Sequence, residues 1–396
     1  MPHTERLYYT DCYLKEFNAR IIRSSPDPRG ARVYLDRTAF YPESGGQPSD
    51  HGMLAGNPLL DVIDEGDEVA HIIAEDPPFK PVHGSIDWAR RFDHMQQHTG
   101  QHILSAAFER SGGYKTVSFH LGTEGATIDL DSDRVGARQM DGAEELANQV
   151  VFENRPVQIS FRPAGEVQHL DLRKPTFRAG DIRLVEIEEF DLSACGGTHV
   201  NRTGGVGIIS IRKVERAKGL TRVEFGCGGR AQRRARQDFA VLTEAARLFS
   251  TGLENVPELI AKQAQDLRDA GKDVQKLMAD LAEMEASQLW QQAPEKDGVR
   301  VVQCLFAAAE GKKAKLTAHA VGKHAGAIAL IGVKGTPTAL FFSQTPGGKA
   351  NVADLMKQTL AKFGGKGGGS RDFAQAGGMP EDQLEAALSF AKSLLP

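Results

Sequence analysis

Two pairs of metal-binding residues, far apart in the sequence, most constrain the fold of this 396-residue chain. His98 and His102 lie four residues apart, and Cys195, which follows His102 by 93 positions, repeats that spacing with His199. On a helix, residues four apart project from one face, one turn from each other. Three imidazoles and one thiolate form an ordinary zinc ligand set. We therefore predict that the fold brings both pairs together around one zinc ion, rather than leaving four unrelated side chains.

The first pair lies in a segment with the signals of a helix. Asp93 is a suitable N-cap, and Gln96 stands where it completes a capping box. An apolar stripe follows, and the Ser-Gly-Gly at 111–113 ends the helix. A metalloprotease motif needs Glu directly after its first histidine, and Thr99 occupies that position, so this enzyme class is disfavoured. His94, on nearly the same helix face, could replace one ligand, but it is predicted rather to support the ligands or to face the substrate.

Composition limits the class of protein. Hydrophobic residues make up 40% and charged residues 25% of the chain, as in a soluble globular protein, and no apolar run has the length of a membrane span. The first residues contain no signal-peptide core, and the four cysteines are scattered, which indicates a reducing cytoplasm. Because the net charge is −4, any RNA site must be a local basic patch.

One such patch is predicted between residues 202 and 236. Ten basic residues lie in this window against two acidic ones, Glu215 and Glu224, which leaves a surplus of eight (10 − 2). Beside a metal site, we interpret this surplus as a track for a phosphate backbone rather than as a solvated face. The predicted RNA contacts are Arg212, Lys213, Arg216 and Lys218.

Four domains of mixed α+β class are expected. Short strand signals separated by Pro, Gly and Asp predict a β-barrel over residues 1–92. A metal-binding α+β domain follows over 93–236, and 237–295 are predicted to form a helical hairpin or coiled-coil arm with a heptad-like seam that starts at Ile260. Apolar strands and helices then alternate over 296–396, an α/β pattern. The arm or the last domain is also expected to pair two chains.

A glycine-rich segment near the end carries two basic residues. Lys366 and Arg371 stand within GGKGGGSRDFAQAGG. Glycine allows successive backbone N–H groups to converge on an anion. We therefore predict that this segment grips phosphates, rather than being only a flexible loop.

These motifs resemble those of a known family. HTGQHILS and CGGTH are similar to motifs of the editing domain shared by alanyl- and threonyl-tRNA synthetases and by the free-standing AlaX proteins. FYPESGGQPSD at 40–50, SFHLG at 118–122 and TIDL at 127–130 fit the same family. GGGSRDFAQAGG at 367–378 resembles the DHHA1 domain of alanyl-tRNA synthetase. The motifs run over nearly the whole chain, in the order of a long-form AlaX protein.

The resemblance implies an enzyme that hydrolyses the aminoacyl ester of mischarged tRNA(Ala), with Ser-tRNA(Ala) as substrate and Gly-tRNA(Ala) as a second candidate. It implies Zn²⁺ as the cofactor, in a catalytic, substrate-positioning or structural role. Accepting serine while rejecting alanine requires a hydrogen-bond partner for the extra hydroxyl, and Gln47, Thr198 and His94 are the candidates. No carboxylate stands out as the general base.

Two other interpretations were weighed. Four protein ligands are typical of structural zinc, so a non-catalytic, zinc-stabilised tRNA-binding protein is the alternative. A fragment of alanyl-tRNA synthetase is disfavoured, because the predicted barrel begins near residue 5 and leaves no room before it for an ATP-using domain.

Overall fold

The computed structural model describes residues 3–78 and 81–395. The chain forms two compact units, of which the first ends at Ala245 and the second begins at Ala246. The expected barrel and metal domain therefore belong to one unit, and most of the arm and the last domain belong to the other. The content of helices and strands confirms the mixed α+β class. Within the described ranges, no helix combines the length and apolar character needed to cross a membrane.

The first eight strands are β1 (Glu5–Arg6), β2 (Glu16–Asp27), β3 (Gly30–Leu35), β4 (Arg37–Thr38), β5 (Gly52–Leu54), β6 (Asn57–Glu65), β7 (Glu68–Ile73) and β8 (Pro81–Ile86). Six of them close into a barrel in the order β2-β3-β7-β6-β5-β8. β2 closes the ring because its first part, up to Arg20, pairs with β8, and its second part, from Ile21, pairs with β3. Alternate residues of β2, Phe17 and Ala19 among them, fill the barrel core.

Helix α1 (Trp88–Gly112) carries the first histidine pair and begins earlier than expected. Asp87 is its N-cap and accepts a hydrogen bond from the backbone of the first turn. The prediction of Asp93 as N-cap, with its capping box, is wrong, because this carboxylate lies within the helix and binds Arg230. Gly113 ends the helix in the left-handed conformation, at φ +70°.

The rest of the first unit surrounds α1. Its elements are β9 (Thr116–Leu121), β10 (Ala126–Leu130), α2 (Ala137–Glu153), β11 (Val157–Pro163), α3 (Ala164–Val167), β12 (Asp181–Ile187), β13 (Asp191–Ala194), β14 (Ile209–Ala217), β15 (Leu220–Cys227) and α4 (Gly228–Leu248). One antiparallel sheet has the order β14-β15-β10-β9, and the other has the order β11-β12-β13. Leu104 and Phe108 of α1 share a core with Ile128 of β10 and Ile187 of β12, which fixes the helix against both sheets.

The described part of the second unit contains a six-stranded sheet with helices. Its elements are α5 (Val256–Gln292), β16 (Glu295–Lys296), β17 (Val299–Phe306), α6 (Gly311–Val321), β18 (Ala327–Val333), β19 (Ala339–Gln344), α7 (Val352–Phe363), β20 (Lys366–Gly369), β21 (Phe373–Gly377) and α8 (Leu384–Ser393). The strand order is β16-β17-β18-β19-β21-β20, and β17 and β18 are its parallel pair. The sheet is mixed, unlike a regular α/β sheet, because β18 and β19 follow each other as antiparallel neighbours. Ile328 and Ala329 of β18 lie in the two separate cores on either side of it.

The predicted arm is made of two helices, since α4 ends at Leu248 and α5 begins at Val256. The expected boundary at residue 237 falls inside α4. The heptad-like seam of α5 is exposed from Ile260 to Leu281, whereas Ala286 near its C-terminal end is buried. The large hydrophobic side chains of this seam are therefore exposed to solvent in the described part of the chain.

The glycine-rich segment forms the edge strand β20 rather than a loop. A Cβ added to Gly367 or Gly369 would come within 2.3 or 2.2 Å of a backbone oxygen of β21. These glycines permit close strand pairing, so the prediction that their N–H groups converge on an anion is wrong. Lys366 is exposed at the start of β20, and Arg371 donates a hydrogen bond to the carbonyl of Gly348.

Candidate metal centre and its cavity

The four predicted metal ligands meet in the first unit. One donor atom from each of His98, His102, Cys195 and His199 lies within 4.8 Å of all the others. The two histidines of α1 occupy successive turns, whereas Cys195 directly follows β13 and His199 lies in the loop beyond it. β13 pairs with β12, which packs in the core around α1, so the sheet carries the cysteine to the helix.

Each imidazole is oriented by a hydrogen bond at its Nδ1 atom. The partners are Gln47 Oε1 for His98 (2.8 Å), Asp191 Oδ2 for His102 (2.9 Å) and the hydroxyl of Thr99 for His199 (3.2 Å). A proton on Nδ1 leaves the Nε2 lone pair for a metal ion. The contacts with Gln47 and Asp191 therefore leave the Nε2 atoms of His98 and His102 for a metal ion.

The spacing of the donor atoms fits a tetrahedral ion. His98 Nε2 and His199 Nε2 each lie 3.3 Å from Cys195 Sγ. Zinc bonds of about 2.0–2.3 Å in tetrahedral geometry place neighbouring donors roughly 3.3–3.6 Å apart. These two distances match a tetrahedral site, and the residues present thus fit a metal ion.

The charges of the cluster also suit a metal ion. Burial raises the pKa of the Cys195 thiol, but the nearby His98 and His199 outweigh burial and hold this pKa well below its ordinary value. Burial lowers the pKa of His102, but its bonds to Asp191 and Cys195 prevail and raise it to about 9. Burial lowers the pKa of His199 to about 3. The cysteine is therefore held as the thiolate, the form that binds metals.

The second glycine of CGGTH is required by the packing of the ligands. A Cβ on Gly197 would lie 2.2 Å from the ring of His98, whereas a Cβ on Gly196 would meet no atom closer than 3.7 Å. The N–H of Gly197 also donates to Cys195 Sγ at 3.3 Å. Neither glycine has a positive φ angle, so close approach rather than a tight turn explains Gly197.

Gln47 and Thr198 lie behind the ligands rather than in the cavity. Gln47 is fully buried, and its Nε2 donates to Thr198 Oγ1 at 2.8 Å, while its Oε1 accepts from His98. The loop that carries Gln47 packs on β9, where a Cβ on Gly46 would lie 2.7 Å from the carbonyl oxygen of Phe119. Both side chains are therefore placed to orient ligands, and neither lines the cavity beside the metal centre.

His94 also lies away from the cavity. It is buried, and its Nδ1 has no hydrogen-bond partner. Burial, with a smaller effect of the neighbouring Arg90 and Arg230, lowers its pKa to about 3. The proposed contact between His94 and a substrate finds no support in this position.

A cavity of about 660 Å³ opens beside the metal centre. Three of the ligands line it: His98, His102 and Cys195. Other lining side chains supply hydroxyl, amide and aromatic groups: Tyr9, Tyr41, Gln101, Thr116 and Ser118. Sequence reasoning missed these residues, although Gln101 stands between the two histidines of HTGQH and could have been found there.

Gln101 has a free acceptor in this cavity. Its Nε2 donates to Ser105 Oγ at 2.9 Å, and Ser105 Oγ also receives the hydroxyl of Thr116 at 2.8 Å. No donor within the described part of the chain bonds to Gln101 Oε1. The amide is thus held in place while its oxygen remains available.

The four RNA-binding residues predicted in the first unit lie on the β14–β15 hairpin. Carboxylates pair with three of them: Arg212 with Asp238, Lys213 with Glu215 and Arg216 with Asp133. Lys218, in the turn between the strands, forms no ion pair with any described residue. The fold thus brings carboxylates from outside the counted window to this surface, and the positive surplus is smaller than the sequence suggests.

Comparison with known proteins identifies the family of this chain. The profile of the threonyl and alanyl tRNA synthetase second additional domain matches residues 182–224, which include Cys195 and His199, and that of the DHHA1 domain matches 271–395. The alanyl-tRNA editing protein AlaX-L of Pyrococcus horikoshii is 31% identical over 412 residues, which cover 99% of each chain. The chain belongs to the AlaX-L family.

This AlaX-L family member is also similar to part of larger proteins. The alanine–tRNA ligase of Pyrococcus abyssi is 33% identical over 95% of this chain and 42% of the ligase. That of Halobacterium salinarum is 35% identical over 100% of this chain and 44% of the ligase. The chain therefore spans about two fifths of the length of the ligases that it matches.

Proposed function

We propose that the protein hydrolyses the ester bond between a wrong amino acid and tRNA(Ala), with Ser-tRNA(Ala) as the main substrate and Gly-tRNA(Ala) as a second one. The observation that carries this proposal is that His98, His102 and Cys195 line a cavity of about 660 Å³. The AlaX-L relative, which matches nearly the whole chain, is named as an alanyl-tRNA editing protein. An ester at the end of an RNA chain could enter such a cavity and lie beside the metal centre.

Zn²⁺ is the proposed cofactor, because one thiolate and three imidazoles are donors that zinc prefers. Bound there, the ion would supply a Lewis acid for the ester carbonyl. A purely structural zinc, the alternative, is usually enclosed by its four protein ligands. Here three ligands border an open cavity, which favours contact with a substrate.

The chain's own residues position the substrate. Gln101 Oε1 is available to accept a hydrogen bond from the hydroxyl of a seryl group, which an alanyl group lacks. A polar partner of this kind discriminates strongly against the analogue without the hydroxyl. We assign Gln47 and Thr198 to the positioning of His98, because they form a hydrogen-bonded chain behind it.

RNA binding is proposed for basic residues of both units. In the first unit, Arg212 and Lys213 line a basic cavity of about 390 Å³ together with Arg233. Lys218, at the hairpin turn, forms no ion pair with the residues that the structure describes. In the second unit, Lys366 and Arg371 remain proposed phosphate contacts, as side chains rather than through a glycine backbone. The exposed seam of α5 is the proposed contact for a homodimer.

Deacylation assays test the proposed reaction. Purified, zinc-loaded protein should release serine from Ser-tRNA(Ala), act on Gly-tRNA(Ala), and spare Ala-tRNA(Ala) by a clear margin. If the protein hydrolyses none of the three esters faster than they hydrolyse spontaneously, the proposed function fails.

Metal analysis tests the cofactor. We expect about one zinc per chain. The double variant Cys195→Ala/His199→Ala should bind none, and full zinc occupancy in that variant would contradict the ligand set. If removing the metal abolishes activity while the fold persists, the ion is catalytic. If removing it abolishes both the activity and the fold, the structural alternative is favoured.

A further inference from the structure

A segment of the first unit, which we call the rim segment (residues 173–178), borders the metal cavity. It is anchored at its first residue, since Arg173 Nε donates to Asp191 Oδ1 at 2.6 Å and its backbone N–H donates to the carbonyl of Leu192. Asp191 is the carboxylate that orients His102. The rim segment is therefore attached to the metal centre itself.

Two cations of the rim segment line the cavity without being neutralised. Neither Lys174 nor Arg178 has a carboxylate within 4.0 Å in the described part of the chain. Lys174 Nζ donates only to a backbone carbonyl, at 3.3 Å. The other cations of the cavity are paired, Arg6 with Asp64 and Arg173 with its anchor. The mouth thus presents two uncompensated positive charges, which suit the phosphates of a nucleic acid.

Phe177 lies between these cations and is 98% exposed, more than any other large hydrophobic side chain that the structure describes. A single exposed phenylalanine needs no explanation by itself. This one directly precedes Arg178, which lines the cavity, and neighbouring Cα atoms are only ~3.8 Å apart, so the backbone of Phe177 lies beside the cavity mouth. An aromatic ring beside free cations is the combination with which proteins hold unpaired nucleotides.

We propose that the rim segment holds the single-stranded 3′ end of the RNA substrate. Phe177 stacks on the base of the penultimate nucleotide, and Lys174 and Arg178 bind the phosphates on either side of that nucleotide. This inference rests on the proposed function, which places the aminoacylated terminal ribose beside the metal centre. The terminal nucleotide then occupies the cavity, and the nucleotide before it reaches the rim.

Kinetics with two substrates of the full-length protein test this inference. One is Ser-tRNA(Ala), and the other is the serine ester of adenosine, which contains the terminal nucleoside alone. Phe177→Ala should raise KM for Ser-tRNA(Ala) about 5- to 140-fold, the equivalent of ~1–3 kcal/mol for one base–aromatic stack. The value of kcat should not change, because the stack is the same in the ground state and the transition state. KM for the adenosine ester should also stay unchanged.

Matched variants distinguish the effect of a stacked aromatic ring from that of an apolar side chain of similar size. Phe177→Tyr keeps the ring and should behave as the wild type, whereas Phe177→Leu keeps apolar bulk without a ring and should behave as Phe177→Ala. Phe152→Ala removes another exposed phenylalanine, on α2, and should leave both substrates unaffected.

Binding supplies a readout that does not depend on catalysis. A tRNA with 2-aminopurine at the penultimate position should lose fluorescence on binding the wild type, because stacking quenches it, and should keep it on binding Phe177→Ala. Lys174→Gln and Arg178→Gln should each make the slope of log affinity against log salt shallower by about 0.7.

The outcomes distinguish this inference from the proposed function. If the wild type is active on Ser-tRNA(Ala) and Phe177→Ala has the same KM, the inference is wrong and the proposed function stands. An equal loss on both substrates also overturns it, since the ring would then shape the cavity. A wild type that hydrolyses neither ester, but quenches the probe only when Phe177 is present, contradicts the reaction and supports the rim segment as an RNA contact.

Discussion

The side chain of Gln47 accepts a hydrogen bond from His98 Nδ1 at 2.8 Å and so connects the N-terminal strands to the metal helix. The same Oε1 accepts from the backbone N–H of Thr198 at 3.2 Å, and Nε2 donates to the hydroxyl of that threonine. One buried amide therefore holds a ligand of α1 and the loop between Cys195 and His199. The loop at 40–50, which carries Gln47, acts on the geometry of the metal centre through this contact.

Replacing Gln47 should weaken metal binding. Gln47→Leu removes the acceptor that fixes the orientation of His98, and loss of such an outer contact lowers metal affinity ~10- to 100-fold. Competition with a chromophoric chelator measures this affinity, and deacylation should recover at high zinc concentration. Gln149→Leu, at an exposed glutamine of α2, is the control and should bind as the wild type. An unchanged zinc affinity in Gln47→Leu would show that the hydrogen bond does not support the ligand.

The metal cluster could be predicted from the sequence because its signal is local. Each ligand pair has a four-residue spacing, and the donor types are specific to few ions, so no knowledge of the tertiary structure was needed. The roles of Gln47 and Thr198 could not be predicted in this way. A glutamine in a glycine-rich loop can face a substrate or a ligand, and only the packing of Gly46 against β9 decides between them.

Two other predictions counted neighbours in sequence rather than in space. The basic surplus of 202–236 did not include Asp133 and Asp238, which the fold brings to the same surface. Asp93 has the composition of an N-cap, but Asp87 lies one turn and a half earlier and caps the helix, which leaves Asp93 to bind Arg230. Tertiary contacts decided both cases.

Acid should destabilise the first unit through His71. Burial lowers the pKa of this histidine to about 4, although its bond to the carbonyl of Val33 opposes that change. The unfolded chain takes up this proton near its ordinary pKa of about 6.5, so between pH 6.5 and 4 the unfolded state binds more protons. The free energy of unfolding therefore falls as the pH falls through this window, by about 3 kcal/mol from this group.

Urea denaturation of metal-free protein at several pH values measures this effect. His71→Gln should be less stable than the wild type at pH 7, because His71 bonds to Thr38 Oγ1 at 2.8 Å. The free energy of unfolding of the wild type minus that of His71→Gln should fall by about 3 kcal/mol between pH 7 and pH 4. A difference that stays constant across this range would show that His71 does not titrate as proposed.

Removing the second unit should weaken tRNA binding while it leaves the metal centre and its catalysis intact. A chain that ends at Ser250 keeps α4 and the whole metal centre, because the first compact unit ends at Ala245. It should fold and bind zinc. Its affinity for tRNA should fall, because linked contacts raise the effective concentration of each binding surface. The salt dependence of binding should become shallower, because the phosphate contacts of Lys366 and Arg371 are lost.

The adenosine ester is the control for this truncation, since it cannot reach a second binding surface. The full-length and truncated chains should hydrolyse this ester at the same rate, and hydrolysis of Ser-tRNA(Ala) is measured in parallel. Equal tRNA affinities and equal salt slopes for the two chains would show that the second unit does not hold RNA, and would leave pairing of two chains through α5 as its role.

Gln101 should set the preference for serine. Its Oε1 is the free acceptor in the cavity, and Gln101→Leu removes it while keeping a side chain of similar size. The value of kcat/KM for Ser-tRNA(Ala) should fall about 5-fold, the equivalent of the ~1 kcal/mol that one hydrogen bond contributes. Gly-tRNA(Ala) has no side-chain hydroxyl, so its kcat/KM should change little. A parallel loss on both substrates, with zinc content unchanged, would mean that Gln101 supports the reaction generally and that another residue recognises the hydroxyl.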